Sequence, residues 1–161
     1  MNDTPNEVNK LFGKKIRTRV CGICIKENAL LLVRHKNIGI SGFLWAPPGG
    51  GMEYEESARE CLKREFLEET GLEVEVKNLL FVYEFLSPPF HAIELFFLTK
   101  DKGGTLQKGK DPEMPENAQI IDKVEFIPFE KIAQMDKASL HGIFRFVKTQ
   151  EDLFTLKGFI Y

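Results

Sequence analysis

A helix that sets carboxylates into its own buried stripe limits the choice of fold more than any overall composition. Residues 57–70 spell such a helix. Ser57 with Glu60 three residues later forms a capping-box pattern, and Gly71 followed by apolar Leu72 is a C-terminal stop signal. At about 100° per residue, Ala58, Cys61, Leu62 and Phe66 define one apolar face. Glu65 and Glu69 fall in the middle of that face, and Glu68 lies on its edge beside Cys61. Burying a carboxylate is costly unless it is paired or bound to metal. Glu65 also repels Glu69 at i, i+4 and Glu68 at i, i+3. A solvated acidic helix end is the plain alternative, but it explains less, because these charges continue the apolar stripe instead of opposing it. Clustered carboxylates without a comparable set of basic partners make a hard-oxygen donor set, which suits Mg²⁺ or Mn²⁺.

Gly49, Gly50 and Gly51 lie shortly upstream, with Pro47 and Pro48 stiffening the approach. Glycines let backbone come close to a ligand or take positive φ. Alone, a triple glycine signals only a turn; beside a carboxylate cluster it predicts a loop that offers backbone groups to metal and phosphates.

Around this pair of features the chain reads as strands about at least one central helix, an α/β or α+β arrangement. Residues 1–15 form a polar N-terminal arm, a loose segment or an edge contribution, and residues 16–161 a single domain. Ile16–Lys26 and residues 29–35, separated by Glu27 and Asn28, predict a hairpin. Residues 72–86 and 90–100 predict strands broken by Ser87, Pro88 and Pro89, and residues 101–117 a long loop. A strand over 120–128, a short helix over 129–135, a further helix over 138–148 and an apolar tail complete the pattern.

The length of 161 residues fits one core, and the absence of a long apolar run excludes a membrane span, so a soluble, cytoplasmic protein is expected. A net charge of −2 gives no general field for long nucleic acid, although a local metal ion can reverse the field of one site. Cys21, Cys24 and Cys61 make no disulfide framework. Cys21 and Cys24 alternate faces of a strand and are expected to be buried thiols, zinc not being expected with three histidines and no second cysteine pair.

Gly50, Glu56, Arg64, Glu65, Phe66, Glu68, Glu69, Gly71 and Leu72 match, position for position, the pattern G-x5-E-x7-R-E-U-x-E-E-x-G-U, where U is bulky and apolar. This resembles the Nudix (MutT-like) hydrolase family, over residues 50–72. The resemblance implies an α/β/α sandwich with a mixed central sheet and a loop–helix–loop. It also implies metal ligation by Glu65, Glu68, Glu69 and the Gly49 carbonyl. Arg64 would ion-pair within the box and orient a catalytic carboxylate, Glu56 would brace the loop–helix–loop, and Gly50 and Gly71 would be structural. The implied reaction is Mg²⁺- or Mn²⁺-dependent attack of water at phosphorus in a nucleoside diphosphate linked to a further group. Family members draw the general base either from the box, here Glu65, or from a later loop, here Glu113 or Glu116. Homodimers are common among relatives.

Substrate choice lies outside the box. A subgroup resemblance, to ADP-ribose hydrolases, places a proline after fifteen residues beyond the last apolar box position, which is Pro88 here. ADP-ribose or another nucleotide sugar is therefore the leading substrate, a nucleoside-triphosphate house-cleaning activity the alternative, and a non-catalytic nucleotide-binding sensor the third reading. That sensor class typically loses box carboxylates, and all are present. Trp45, with Phe43 and Phe90, is a candidate for stacking on a base, against the default of core burial. Arg34 and His35, near the glycine run, are candidate phosphate contacts. His91 and His141 carry no functional reading.

Overall fold

None of the apolar strand segments can bury two faces by itself, and they pair into one mixed sheet between helical layers. The computed structural model describes residues 4–161. Its strands are β1 (Ile16–Lys26), β2 (Ala29–Lys36), β3 (Phe43–Ala46), β4 (Gly49–Gly51), β5 (Leu72–Ser87), β6 (Phe90–Gly104), β7 (Ile121–Pro128) and β8 (Phe159–Ile160). Its helices are α1 (Thr4–Phe12), α2 (Ala58–Thr70), α3 (Phe129–Gln134) and α4 (Gln150–Thr155). The strands run in the order β3-β2-β1-β6-β5-β8, with β4 paired to β1 and β7 to β2. The β1–β6 and β5–β8 pairings are parallel and the rest antiparallel. In the β1–β2 hairpin both Glu27 and Asn28 take positive φ, 49° and 60°, as a tight two-residue turn requires.

Period-two alternation sorts the core into layers. Leu31 of β2 faces α2 and packs with Cys61, Leu62 and Phe66, together with Val20, Val74 and Phe97. Leu30 and Leu32 point the other way, into a larger cluster with Phe81, Phe96, Ile132, Ile143 and Leu153. A sheet covered by α2 on one face and by α3, α4 and short helical turns on the other is the expected α/β/α sandwich. All three cysteines are free and buried.

Four expectations need revision. The arm is not loose: Thr4–Phe12 wind into α1, where Val8, Leu11 and Phe12 share a stripe that packs with Val33, Met114, Ile120 and Ile121. The glycine run is a strand, β4, not an irregular loop. Residues 138–148 do not form one helix. Lys137–Ser139 and Gly142–Arg145 are 3-10 turns separated by extended Leu140, which bridges to Trp45, while the His141 N–H donates to the Trp45 carbonyl at 2.9 Å. Those backbone bonds to β3 replace helical ones. The tail holds α4, capped reciprocally by Thr149 and Asp152.

Candidate functional site

The site begins where α2 crosses β4. Strand β4 is pinned to β1 with Gly51 opposite Arg19, Gly50 opposite Val20 and Gly49 opposite Cys21. Helix α2 starts at the capping box of Ser57 and Glu60 and ends at Gly71, whose φ of 72° is the left-handed cap that glycine favours. This geometry lays Glu65 and Glu69 against the glycine strand. The Glu65 carboxylate occupies the space that a Cβ on Gly50 would need. The Gly49 N–H donates to Glu69 Oε2 at 2.9 Å. Glu65 is 8% and Glu69 4% exposed, so the carboxylates on the apolar stripe are buried with it. Burial, then the charge of Glu69, raises the Glu65 pKa to about 8, even though Arg64 opposes both.

Arg64 is the hub of the helix surface. Its Nε and Nη2 donate to the two carboxylate oxygens of Glu56 at 2.8 and 3.0 Å. Its Nη1 donates to Glu65 at 2.8 Å and to Glu68 at 3.1 Å. The sequence reading of carboxylates without basic partners is therefore corrected: one guanidinium serves two of them, Glu65 and Glu68, and Glu56 besides. It does so because Arg64 and Glu68 are i, i+4 neighbours and Glu56 reaches over from the preceding loop. Contact with Arg64 holds the Glu56 pKa down at about 2.

A cavity of about 170 Å³ opens beside this junction. Glu65, Glu69, Gly49 and Gly50 line it, with Arg17, Arg19, His35, Glu94, Asp111, Glu113 and His141. His35 Nε2 is 3.5 Å from Glu69 Oε1. The segment after β6 is held to the end of α2, where helical carbonyls lack intrahelical partners. Gln107, Gly109 and Lys110 donate backbone N–H groups to the carbonyls of Thr70, Glu69 and Glu68 at 3.0, 2.9 and 3.1 Å. That docking delivers Asp111 and Glu113 to the cavity, and burial pushes the Asp111 carboxyl up.

Not every residue singled out in the sequence reaches the cavity. Glu116 is exposed and bound to Lys110 at 2.6 Å. Arg34 is spent on a two-pronged pair with Asp122, at 2.8 and 2.7 Å. Trp45 is buried in the larger core cluster with Phe43 packed against it, and Pro88 is exposed in the β5–β6 turn. None of these five is in the cavity lining among the described residues. Phe90 and His35 do line it. The sequence reading missed Arg17, Arg19, Glu94 and His141. Arg17, Arg19 and Cys21 are alternate residues of β1, and Ala92, Glu94 and Phe96 alternate residues of β6. That period-two placement of charge on an inward face was the available signal.

Among the described residues, no three His, Cys, Asp or Glu side chains converge into a ready ligand set. The donors present nonetheless fit a divalent cation. Glu65 and Glu69 are buried, the charge of Glu69 adds to the cost of ionising Glu65, and both stand near the half-buried Glu68 and against Gly49. A hard cation is the group that would relieve them.

A NUDIX domain model matches residues 15–146. This chain belongs to the NUDIX family. It is 40% identical over 99 residues to the ADP-ribose pyrophosphatase of Methanocaldococcus jannaschii, a match covering 60% of this chain and 58% of that protein. The 8-oxo-dGTP diphosphatase of Proteus vulgaris is 30% identical over 97 residues, covering 60% of this chain and 87% of that one. In three dimensions the MutT protein from Methanosarcina mazei Go1 matches with a TM-score of 0.66 at 22% identity, over 88% of this chain and 91% of that chain. The last is a likeness of fold. The Nudix chain described here thus spans little more than half the length of the archaeal ADP-ribose pyrophosphatase it matches.

Proposed function

We propose that this Nudix chain is a divalent-metal-dependent pyrophosphohydrolase acting on a nucleoside diphosphate linked to a further group, with ADP-ribose the leading substrate. The observation that carries the reading is the burial of Glu65 and Glu69 against β4 inside a cavity that also holds cationic side chains. Glu65, Glu68, Glu69 and the Gly49 carbonyl would hold Mg²⁺ or Mn²⁺ there. Bound metal would neutralise diphosphate charge and lower the pKa of a coordinated water.

The chain's own residues supply the rest. Arg64, braced by Glu56, fixes the directions of Glu65 and Glu68. A carboxylate takes the proton of the attacking water. Glu65 fills that role in this reading, and Glu113 is the loop candidate because it lines the cavity, whereas Glu116 does not. Water attacks one phosphorus of the diphosphate and the bridging anhydride oxygen leaves with the other phosphate, so that ADP-ribose yields AMP and ribose 5-phosphate. The archaeal relative with 40% identity, an ADP-ribose pyrophosphatase, favours this substrate. The Proteus vulgaris relative supports a second reading, hydrolysis of a nucleoside triphosphate. Among the described residues no helix is long and apolar enough to cross a membrane.

The test is a panel of nucleotide sugars, dinucleotides and nucleoside triphosphates, incubated with Mg²⁺, with Mn²⁺ or with EDTA. We expect ADP-ribose to give the highest kcat/KM and EDTA to abolish turnover. A triphosphate at the head of the ranking selects the second reading, and full turnover in EDTA removes the metal from the proposal.

A further inference from the structure

The cavity beside α2 is small for a substrate with two bulky ends. At about 170 Å³ it falls below the roughly 300–1,000 Å³ of ordinary small-molecule sites. A second depression, of about 530 Å³ and more open to solvent, lies at the Gly51 end of β4. Phe12, Arg17 and Glu113 line both, so the two hollows adjoin across a shared wall. Ile16, 73% exposed, and Tyr54, 93% exposed, border the groove, together with exposed Lys15, Thr18 and Glu53. Leu11, Phe12 and Met52 form its partly buried wall. Single apolar residues are ordinary on a surface. Two of them lining one hollow that adjoins a carboxylate cavity call for an occupant.

We propose that this groove is the subsite for the non-nucleoside half of the substrate, a sugar phosphate whose apolar face rests on Tyr54 and whose hydroxyls meet Lys15, Thr18 and Glu53. This rests on the diphosphate reading above and narrows it, because it states what the further group must be. A sugar ring has one face of C–H groups and a rim of hydroxyls. It needs an aromatic or aliphatic platform beside donors and acceptors that stay in reach of water. The groove supplies both, since the Lys15 ammonium donates, the Glu53 carboxylate accepts and the Thr18 hydroxyl does either. A base is flat and apolar on both faces, and is better served in the first cavity, where Phe12, Phe85 and Phe90 gather.

The platform is held firmly. The Met52 N–H donates to the Thr18 carbonyl at 3.1 Å, which ties the start of the Tyr54 loop to β1. The Glu53 N–H donates to Glu56 Oε2 at 3.2 Å, and Glu56 is itself fixed by Arg64. Tyr54 is thereby coupled to the same brace that orients the carboxylates of α2. Leu11 and Phe12, on the opposite wall, belong to α1 and precede the residues 15–146 matched by the NUDIX domain model. A nucleoside triphosphate ends at its last phosphate and has nothing to place in this groove.

Ribose 5-phosphate is the probe, titrated calorimetrically into the full chain with Mg²⁺, and AMP is the reference. We expect Tyr54→Ala to weaken ribose 5-phosphate about fivefold or more while AMP stays within about twofold, and Tyr54→Phe, which keeps the ring, to restore the affinity. In turnover, Tyr54→Ala should raise KM for ADP-ribose by about the same factor at unchanged kcat, with KM for a nucleoside triphosphate unmoved. Tyr54 is exposed, so its replacement does not threaten the fold. Absence of ribose 5-phosphate binding to the native chain, binding indifferent to Tyr54→Ala, or an equal loss for AMP overturns the proposal. If ribose 5-phosphate binds in a Tyr54-dependent way while the native chain with Mg²⁺ hydrolyses no diphosphate, the subsite stands and the hydrolytic reading fails.

Discussion

Two buried acidic centres line the same cavity and are treated in opposite ways. Glu94, 4% exposed on β6, has a basic side chain beside each oxygen, although Oε2 and His141 Nε2 meet at short distance without hydrogen-bond geometry. Arg19 Nε lies 3.2 Å from Oε1, and His141 Nε2 lies 2.8 Å from Oε2. His141 Nδ1 accepts the Ile143 N–H at 3.3 Å, which fixes the ring with Nε2 toward Glu94. Burial works against the Glu94 carboxylate, but His141 and Arg19 outweigh it and hold the pKa below the ordinary value. Glu65, 8% exposed on α2, shares one guanidinium with Glu56 and Glu68 and faces the further carboxylate of Glu69. Similar burial therefore leaves Glu94 ionised and matched, and Glu65 raised to about 8. Burial alone does not make a binding site; a buried charge with too few partners does.

The largest effect that tests this contrast is on catalysis. Glu69→Gln keeps size and can still accept the Gly49 N–H, but it removes one charge from the short-handed pair. We expect kcat/KM to fall roughly 10²–10³-fold, as on loss of one major electrostatic stabiliser. The metal-free melting temperature should hold or rise, because a repulsive neighbour of Glu65 is gone. Exposed Glu60→Gln is the control. An activity within about threefold of wild type would place the metal elsewhere.

At the matched centre the sign reverses. Glu94→Leu strips Arg19 and His141 of their common partner and leaves both polar groups buried. Denaturant unfolding should show a loss of about 3 kcal/mol, as expected for breaking a buried pair from one side. A variant as stable as wild type would mean that Glu94 is solvated and that the contrast with Glu65 is false.

The contrast also explains what could be read in advance. Glu65, Glu68 and Glu69 announce themselves because a helical stripe of Cys61, Leu62 and Phe66 runs through them, and thirteen residues of one helix need no knowledge of the fold. Glu94, His141, Arg17 and Arg19 come from three separate segments, and only the parallel pairing of β1 with β6 sets Arg19 opposite Glu94. A strand shows that a charge faces inward, but not which distant residue meets it. The misjudged 138–148 helix has the same origin, since its backbone bonds go to Trp45, nearly a hundred residues earlier. Arg34 shows the converse. It sits near the glycine run in sequence, yet its side chain is committed to Asp122 on β7.

Glu56 lies between the two extremes and gives the finest test. It is outside the cavity lining, its carboxylate meets the two-pronged Arg64, and its pKa is held at about 2. A carboxyl lowered on folding adds stability that is fully present above its unfolded pKa and is lost as pH falls through the folded one. The Glu56–Arg64 contribution should therefore be constant near neutrality and fade from about pH 5 toward pH 2. Glu56→Gln should cost about 1–2 kcal/mol at pH 7, the scale of a charged hydrogen bond that keeps some solvent contact. The same substitution should cost progressively less below pH 5, when the wild-type carboxyl is also neutral in the unfolded chain. Urea unfolding of both proteins from pH 7 to pH 3 measures this directly. A difference that stays flat across that range would show that Glu56 braces the loop by shape and not by charge, and that Arg64 owes its position to Glu65 and Glu68.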